Sequence, residues 1–371
     1  MVRMGIVGGR FGASFPFDKH PLSTVEAVCD LREDRRRALQ ETYGAPRACE
    51  RYEQVLADDA VDAVGLFTPA PTHAAMAVQA LRAGKHVLSA VPAAVTLDEC
   101  RELIRAVQET GVTYMMAETS YYYPEIMACR RWREDGVFGA IFYAEGEYLH
   151  DKTELRQPKP TPGLLRDENL ERTWRWGFAP MHYITHSSSG IISVMGERLS
   201  AVAALGWADM SDERLRPVME DNPYRNPFAD TVALFKTSAG HAARVAELRW
   251  LATPSTVRFE FYGTERSFVD PPPGRSAGYV VLHPDETAEE WKPDFRLEDL
   301  PEELRPAIDT GHAGSHPHIV YEFVSAVSQG RRPTVDVYEA VAYTAPGICA
   351  HESALRGGEW VPIPDFGKAA Q

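Results

Sequence analysis

An α/β domain with a parallel sheet covered on both faces, followed by an α+β domain built on a meandering sheet, is the architecture this sequence predicts. Three observations carry the prediction. Strand-like and helix-like runs alternate through residues 1–122, a glycine-rich turn closes the first strand, and beyond 122 the strands follow one another with turn formers between them. At 371 residues the chain exceeds one average domain and is long enough to bury its cores without disulfides or metals.

The β-rich runs fall at Arg3–Val7, Thr24–Cys29, Ala63–Phe67, His86–Ser89 and Thr113–Met116, with helix-like stretches at Arg32–Thr42, Thr72–Ala83 and Leu97–Glu109. Alternation of this kind implies right-handed crossovers and a parallel sheet. Gly84 and Gly111 stop two of the helices, and Thr96 caps the start of the third. The first strand runs into Gly8-Gly9-Arg10-Phe11-Gly12-Ala13. Against the dinucleotide fingerprint G-x-G-x-x-G/A, Gly8 takes the first place and Arg10 the second, and Gly9 and Gly12 supply the same close backbone approach if the turn is shifted. Asp30 stands 22 residues after Gly8, where a carboxylate accepts hydrogen bonds from a ribose and repels a 2′-phosphate. NAD is therefore expected rather than NADP. A flavodoxin-like turn with a surface aspartate is the alternative reading of these residues.

Charge narrows the partners. With 53 acidic and 39 basic residues the net charge is −14, a surface that repels nucleic-acid backbones and anionic lipid. Hydrophobic content of 44% with 25% charged residues is ordinary globular composition, and no apolar run reaches membrane-spanning length. The five cysteines are widely spaced and form no Cys-x-x-Cys pair, as packed thiols would be. Met1 to Arg3 lead directly into Gly5-Ile6-Val7-Gly8, which leaves no room for a secretion signal, so cytoplasmic residence is expected.

Beyond 122, the runs Ala140–Tyr148, Ala201–Trp207, Thr231–Phe235, Ala243–Trp250 and Thr256–Tyr262 read as strands, and helices return at Ile319–Ser328 and Val337–His351. Two clusters carry chemistry there. Met181-His182-Tyr183-Ile184-Thr185-His186 sets two imidazoles four residues apart, which on a helix share one face, with Tyr183 beside them. Histidine titrates near neutral pH, so such a group suits acid/base work. The six basic side chains Lys152, Arg156, Lys159, Arg166, Arg172 and Arg175 form a positive loop in an acidic chain, Arg175 flanked by Trp174 and Trp176. Arginine forks there suit a carboxylate or sulfonate; a solvated loop is the plainer reading. The His312-Ala313-Gly314-Ser315-His316-Pro317-His318 run lacks an acidic or thiolate ligand, and with the helix starting after Pro317, no metal site is expected.

The segment Val61-Asp62-Ala63-Val64-Gly65-Leu66-Phe67-Thr68-Pro69, with His73 and Ala80-Leu81-Arg82-Ala83-Gly84-Lys85-His86-Val87, resembles the glucose-fructose oxidoreductase, inositol dehydrogenase and MocA (Gfo/Idh/MocA) family. Gly136-Val137-Phe138-Gly139, Phe261-Tyr262-Gly263-Thr264-Glu265 and Gly330-Arg331-Arg332-Pro333 extend the likeness over most of the chain. The resemblance implies a Rossmann NAD-binding domain at 1–122 and, at 123–371, a substrate and oligomerisation domain on an open, mainly antiparallel sheet. It implies cofactor contacts from Gly8, Gly9, Arg10, Phe11, Gly12, Asp30, Thr68, Pro69, His73, Val91, Pro92 and Glu118. The family's Glu-Lys-Pro reads Ala90-Val91-Pro92 here, so its lysine is missing; Lys85 precedes the strand and reads as a cap. His186 matches the family histidine, and His182 replaces its aspartate. Tyr183-x-Thr185-His186, Met115-Met116-Ala117-Glu118 and Glu147-Tyr148-Leu149-His150-Asp151 resemble the branch containing NAD-dependent glycosidases.

The resemblance thus implies His186, Tyr183 and His182 as catalytic groups and Tyr121, Tyr148, His150, Arg175 and His316 as substrate contacts. The leading expectation is an NAD-dependent oxidoreductase moving hydride at a sugar hydroxyl carbon. The alternative is a glycoside hydrolase that oxidises transiently, eliminates, adds water and re-reduces, possible also for an anionic glycoside. A third reading, motivated by the absent lysine, is an NAD-sensing protein without turnover. A homo-oligomer, dimer or tetramer, is expected from the resemblance.

Overall fold

The computed structural model describes residues 1–368 except 152, 158, 276, 277 and 286, and the backbone alone of Thr153 and Arg156. The chain divides into two compact units. Met1–Pro124, Asp294–Val341 and Phe366–Gln371 make the first, Glu125–Pro293 and Ala342–Asp365 the second. A single division after 122 misses this return of residues 294–341 to the first unit, where Met116 N donates to Val335 O and the His316 ring stacks on Phe15.

The first unit holds six parallel strands, β1 (Val2–Val7), β2 (Ser23–Cys29), β3 (Arg47–Cys49), β4 (Ala63–Leu66), β5 (His86–Ser89) and β6 (Tyr114–Met116), in the order β3-β2-β1-β4-β5-β6. This is the doubly wound dinucleotide order, whose direction reverses between β1 and β4 and opens a crevice at their carboxyl ends. β4 is buried at every residue, as a strand covered on both faces must be. Helices α1 (Glu33–Tyr43), α2 (His73–Arg82) and α3 (Leu97–Thr110) follow β2, β4 and β5. Thr96 Oγ1 accepts from Glu99 N at 3.1 Å while the Glu99 carboxylate accepts from Thr96 N at 3.0 Å, a reciprocal cap that fixes the start of α3.

The second unit is built on nine strands: β7 (Ile141–Leu149), β8 (Leu199–Trp207), β9 (Asp230–Thr237), β10 (Ala242–Leu248), β11 (Thr256–Gly263), β12 (Ser267–Val269), β13 (Tyr279–Leu282), β14 (Ala288–Trp291) and β15 (Val361–Pro362). Their order is β14-β13-β12-β11-β7-β10-β9-β8-β15. Of the pairings, β7 with β10 is parallel and the rest are antiparallel, so the sheet is open and mainly antiparallel. Helix α4 (Pro124–Glu134) leads into the unit. Helix α5 (Thr185–Met195), buried along nearly its whole length, crosses the centre of the sheet. It lies so close that a Cβ on Gly146 of β7 would sit 2.6 Å from Ser187 O. Helix α6 (Ser315–Gln329) begins before Pro317, not after it: a proline in the first helical turn has no intrahelical N–H bond to lose. Helix α7 (Val337–Leu355) runs through Pro346.

Two carboxyls are buried together in the second unit. Glu125 on α4 and Asp270 after β12 are each about 95% or more removed from solvent. Asp270 Oδ2 accepts from Phe259 N at 2.7 Å, and Oδ1 has no hydrogen-bond partner among the described residues. Burial pushes Glu125 up to about 7, and burial with the nearby Glu125 charge pushes Asp270 upward. Both folded-state values lie above the unfolded ones, so the folded chain holds protons that the unfolded chain releases, and stability is lost as pH rises from about 4.5 through 7. Glu125→Gln is expected to recover on the order of 2 kcal/mol at pH 8 and little at pH 5. Thermal melts at the two pH values check this; an equal shift at both would contradict it.

Candidate functional site

In the first unit the fingerprint turn sits at the crevice between β1 and β4. Gly8 has φ 104°, and a Cβ there would lie 2.6 Å from the carbonyl carbon of Phe67, so any other residue is strained twice over. Residues Gly9–Gly12 form one helical turn, and Gly12 packs where a Cβ would stand 2.9 Å from Ile6 and 3.0 Å from Phe67. Arg10, in the second glycine place, is accommodated because its side chain is exposed; the close approach falls to Gly9. Gly9 N donates to Asp30 Oδ2 at 2.7 Å and Arg32 N to Oδ1 at 2.9 Å, which fixes the carboxylate at the end of β2. Phe11 packs edge-on to Phe15 and Phe67 beneath the turn. A glycine cradle with a fixed acid at the end of the second strand fits a dinucleotide with its pyrophosphate over the turn and its ribose at Asp30.

The neighbouring expectations divide. Thr68 Oγ1 lies 2.9 Å from Thr72 Oγ1 in the loop Thr68–Pro69. His73 is buried, its Nδ1 2.9 Å from Pro92 O and its Nε2 2.8 Å from Thr68 O. It ties the Thr68–Pro69 loop to Val91–Pro92, with both ring nitrogens turned to backbone carbonyls. Glu118, fully buried after β6, accepts from Ser120 N at 3.0 Å and Ser120 Oγ at 2.8 Å. Tyr121 lies in the same unit, edge-on to Tyr122. Lys85, buried rather than on the surface, donates to Asp58 O at 3.0 Å and Val61 O at 2.8 Å, carbonyls of the segment before β4 rather than of the helix it follows.

His316 is not placed as a substrate contact. Its ring stacks on Phe15 at 4.3 Å, Nδ1 is 3.1 Å from Ser14 O and Nε2 is 3.0 Å from His312 Nδ1, so packing and hydrogen bonds use both nitrogens. Burial and the adjacent His312 lower it to about 4, which keeps it neutral.

In the second unit, three rings converge. Tyr183 and Tyr148 stack at 6.1 Å, and the His186 ring meets Tyr148 at 5.1 Å and Tyr183 at 5.3 Å, edge to face. A cavity opens beside them, lined by Tyr148, His150, Arg175, Tyr183 and Arg249 with apolar walls such as Phe178 and Leu215. Tyr148 Oη and His150 Nδ1 are 2.5 Å apart. Burial raises the Tyr148 phenol, which therefore keeps its proton in its contact with His150. Arg175 lies over Trp174 at 4.1 Å, and its Nη2 donates to Tyr183 Oη at 3.2 Å. Since Tyr183 Oη accepts that bond, its own proton is left to donate elsewhere.

His182 does not join this group. Residues Pro180–Tyr183 form a 3₁₀ turn and the α-helix starts at Thr185, so the i, i+4 spacing is not helical across the gap. Its ring lies 4.8 Å from His351 and 5.7 Å from Phe178, and burial with the His351 neighbour lowers it to about 3. It is a packing group, uncharged at neutral pH. In the basic loop, Arg166 and Arg172 flank the Trp176 ring, at 4.9 and 4.4 Å, and Arg172 pairs with Asp221 at 2.7 Å. Lys159 is exposed. Lys152 and the side chain of Arg156 lie outside the described residues.

Sequence reasoning missed Glu247 and Arg249. β10 runs parallel to β7 with Glu247 opposite Tyr148, which brings Arg249 over the Tyr148 ring at 4.4 Å. Glu247, fully buried, accepts from Ser187 Oγ at 2.6 Å and Arg249 Nη2 at 2.8 Å; burial dominates and raises it to about 7, with Arg249 opposing. The signal was Glu247-Leu248-Arg249-Trp250, two charges two apart on one face of an apolar strand. Among the described residues no group of three or more histidine, cysteine and acidic side chains is placed to hold a metal, and no helix is long and apolar enough to cross a membrane.

Residues 2–118 match the oxidoreductase family with an NAD-binding Rossmann fold, and residues 286–371 match the C-terminal domain of glycosyl hydrolase family 109. A glycosyl hydrolase family 109 protein of Saccharopolyspora erythraea is 29% identical, the alignment covering 98% of this chain and 83% of that protein. An α-N-acetylgalactosaminidase of Bacteroides fragilis is 25% identical over 93% of this chain and 86% of its own length. Among solved structures, levoglucosan dehydrogenase in complex with NADH and levoglucosan superposes with a TM-score of 0.80 at 19% identity, over 98% of this chain and 99% of that one, a likeness of fold. With the glycine cradle, the fixed Asp30 and the open second sheet, these matches describe an NAD-dependent carbohydrate enzyme whose residues 2–118 match the Gfo/Idh/MocA Rossmann domain and whose residues 286–371 match the family 109 C-terminal domain.

Proposed function

We propose that the enzyme acts on a glycoside: it oxidises a sugar hydroxyl transiently, eliminates the group at the anomeric carbon, adds water and re-reduces the carbonyl. The observation that carries this reading is the ring triad in which Tyr148 and Tyr183 line the cavity of the second unit and His186 packs edge-on against both, together with the family 109 relatives. Bound NAD, held by Gly8, Gly9, Gly12 and Asp30, supplies reversible hydride exchange. The protein's own groups handle protons. His186 accepts the proton of the hydroxyl being oxidised. The resulting ketone acidifies the adjacent C–H, whose proton a base of the same cluster removes. Tyr183, whose Oη accepts from Arg175 and keeps its own proton, protonates the departing oxygen. His182 has no part in this. Four steps that begin and end with the same oxidation state consume no cofactor.

A second reading is net oxidation, with the keto-sugar released; the fold likeness to levoglucosan dehydrogenase favours it. Incubating the protein and NAD with chromogenic glycosides and with free sugars separates the two. The glycosidase releases aglycone without NADH accumulating, the dehydrogenase accumulates NADH, and neither signal on any sugar would remove both readings. Cytoplasmic residence and a homo-oligomer belong to the same proposal. Leu205 and Trp207 on β8 and Leu234 on β9 stand 62%, 47% and 53% exposed on the sheet, apolar area that a second copy would cover. Sedimentation above the 41.3 kDa of one chain supports it.

A further inference from the structure

We infer that the cavity of the second unit takes a sugar bearing an anionic oxygen group, a carboxylate or a sulfate, bound at Arg175. The inference rests on the glycoside reading of the same cavity and adds the class of sugar.

Among the described residues no aspartate or glutamate lines the cavity, while two guanidiniums do, in a chain of net charge −14. Among the described residues Arg175 forms no ion pair. Its side chain lies over Trp174 at 4.1 Å and 5.5 Å from the Tyr183 ring, and it donates to Tyr183 Oη. A guanidinium has five N–H donors, so most of the fork remains unused. Stacking fixes the plane of the fork in advance, which lowers the entropy lost when a planar anion docks on it. The second cation, Arg249, is half satisfied. Its Nη2 donates to Glu247, whose other oxygen takes the Ser187 hydroxyl, and its Nη1 has no hydrogen-bond partner among the described residues.

Two further carboxylates near Arg249 accept backbone N–H groups. Asp230 Oδ1 accepts from Arg249 N at 2.6 Å and Trp250 N at 3.0 Å, and Asp151 Oδ1 accepts from Leu251 N at 3.3 Å. One buried carboxyl, Glu247, faces Arg249, while Arg175 has none among the described residues, and both guanidiniums are set among Leu165, Phe178, Leu215 and Phe228. Cationic groups with apolar neighbours and little counter-charge favour an anionic ligand, and a carboxylate or sulfate satisfies an arginine fork with paired charge-assisted bonds where a neutral hydroxyl makes one.

Calorimetric titration of the full chain loaded with NAD tests this directly. The probes are the methyl glycosides of glucuronate and galacturonate, the 6-O-sulfated methyl glucoside and galactoside, and the neutral methyl glucoside and galactoside. At least one anionic probe is expected to bind about tenfold or more tighter than its neutral counterpart, and the preference shrinks as salt rises from about 0.05 to about 0.5 M. Uronate or sulfate preference identifies the source of the anion. Arg175→Met is expected to cut the preference below about threefold, and Arg175→Lys to restore part of it, each variant first shown to melt as the parent does. Anionic probes that bind no tighter than neutral ones, or a preference that survives Arg175→Met, would overturn the inference. Glycoside turnover without acid preference removes this inference and leaves the glycosidase reading standing; acid preference without turnover on any sugar does the reverse.

Discussion

Replacing His186 by alanine is expected to lower kcat by about 10³-fold while leaving the Kd for NAD within about twofold. The imidazole is 6% exposed, wedged edge-on between Tyr148 and Tyr183, so its removal takes away a proton acceptor without touching the glycine cradle at Gly8–Gly12. Loss of the hydroxyl-proton acceptor slows oxidation and the return reduction alike, so KM should change far less than kcat. Tyr183→Phe should fall between, because it keeps the ring stack and deletes the donor that Arg175 orients. Stopped-flow and steady-state assays with the glycoside that the parent turns over measure the loss, and fluorescence titration measures cofactor affinity. An unchanged kcat in the alanine variant would remove His186 from the chemistry.

The second large effect lies outside the cavity lining. Gly347 sits on α7 against the 3₁₀ turn that delivers Tyr183: a Cβ there would overlap Met181 O and stand 2.6 Å from Ile184 Cγ2. Backbone cannot retreat as a side-chain tip can, so Gly347→Ala must push the turn and α7 apart. Overpacking of this kind costs about 1–3 kcal/mol. Displacing Tyr183 and His186 by an ångström or so costs about 10²-fold in kcat. A thermal melt and a rate measurement read both; an alanine variant with the parent's melting temperature and rate would show that the helix and turn are less tightly opposed than the distances say.

Much of the first unit was legible because its strands are short apolar runs between glycines and caps, a pattern that physics leaves little freedom to reinterpret. β3, three residues long, carries too little pattern to register. The second sheet was half legible. β7 to β11 alternate clearly, but β14 reads Ala-Glu-Glu-Trp and is largely exposed, so nothing in its composition separates it from a loop. Family spacing pointed to His186 and Tyr183, and the structure places Tyr148 against both rings with His150 and Arg175 on the same cavity. His182 failed because the spacing argument assumed one continuous helix where Pro180 opens a tighter turn. His316 failed because its partners, Ser14 and Phe15, are some 300 positions away in sequence. Arg249 was missed for a related reason: its importance comes from β10 lying parallel to β7, a pairing between strands about 100 residues apart that no local window contains.

The return of residues 294–341 to the first unit has a consequence for biosynthesis. While the 169 residues of Glu125–Pro293 are being translated, roughly 10–30 s at ordinary ribosomal speed, the nascent dinucleotide sheet lacks α6, and the layer of Phe11, Phe15 and Phe67 awaits His316. The packing of the first unit is therefore completed only once α6 has been made, long after the glycine cradle itself.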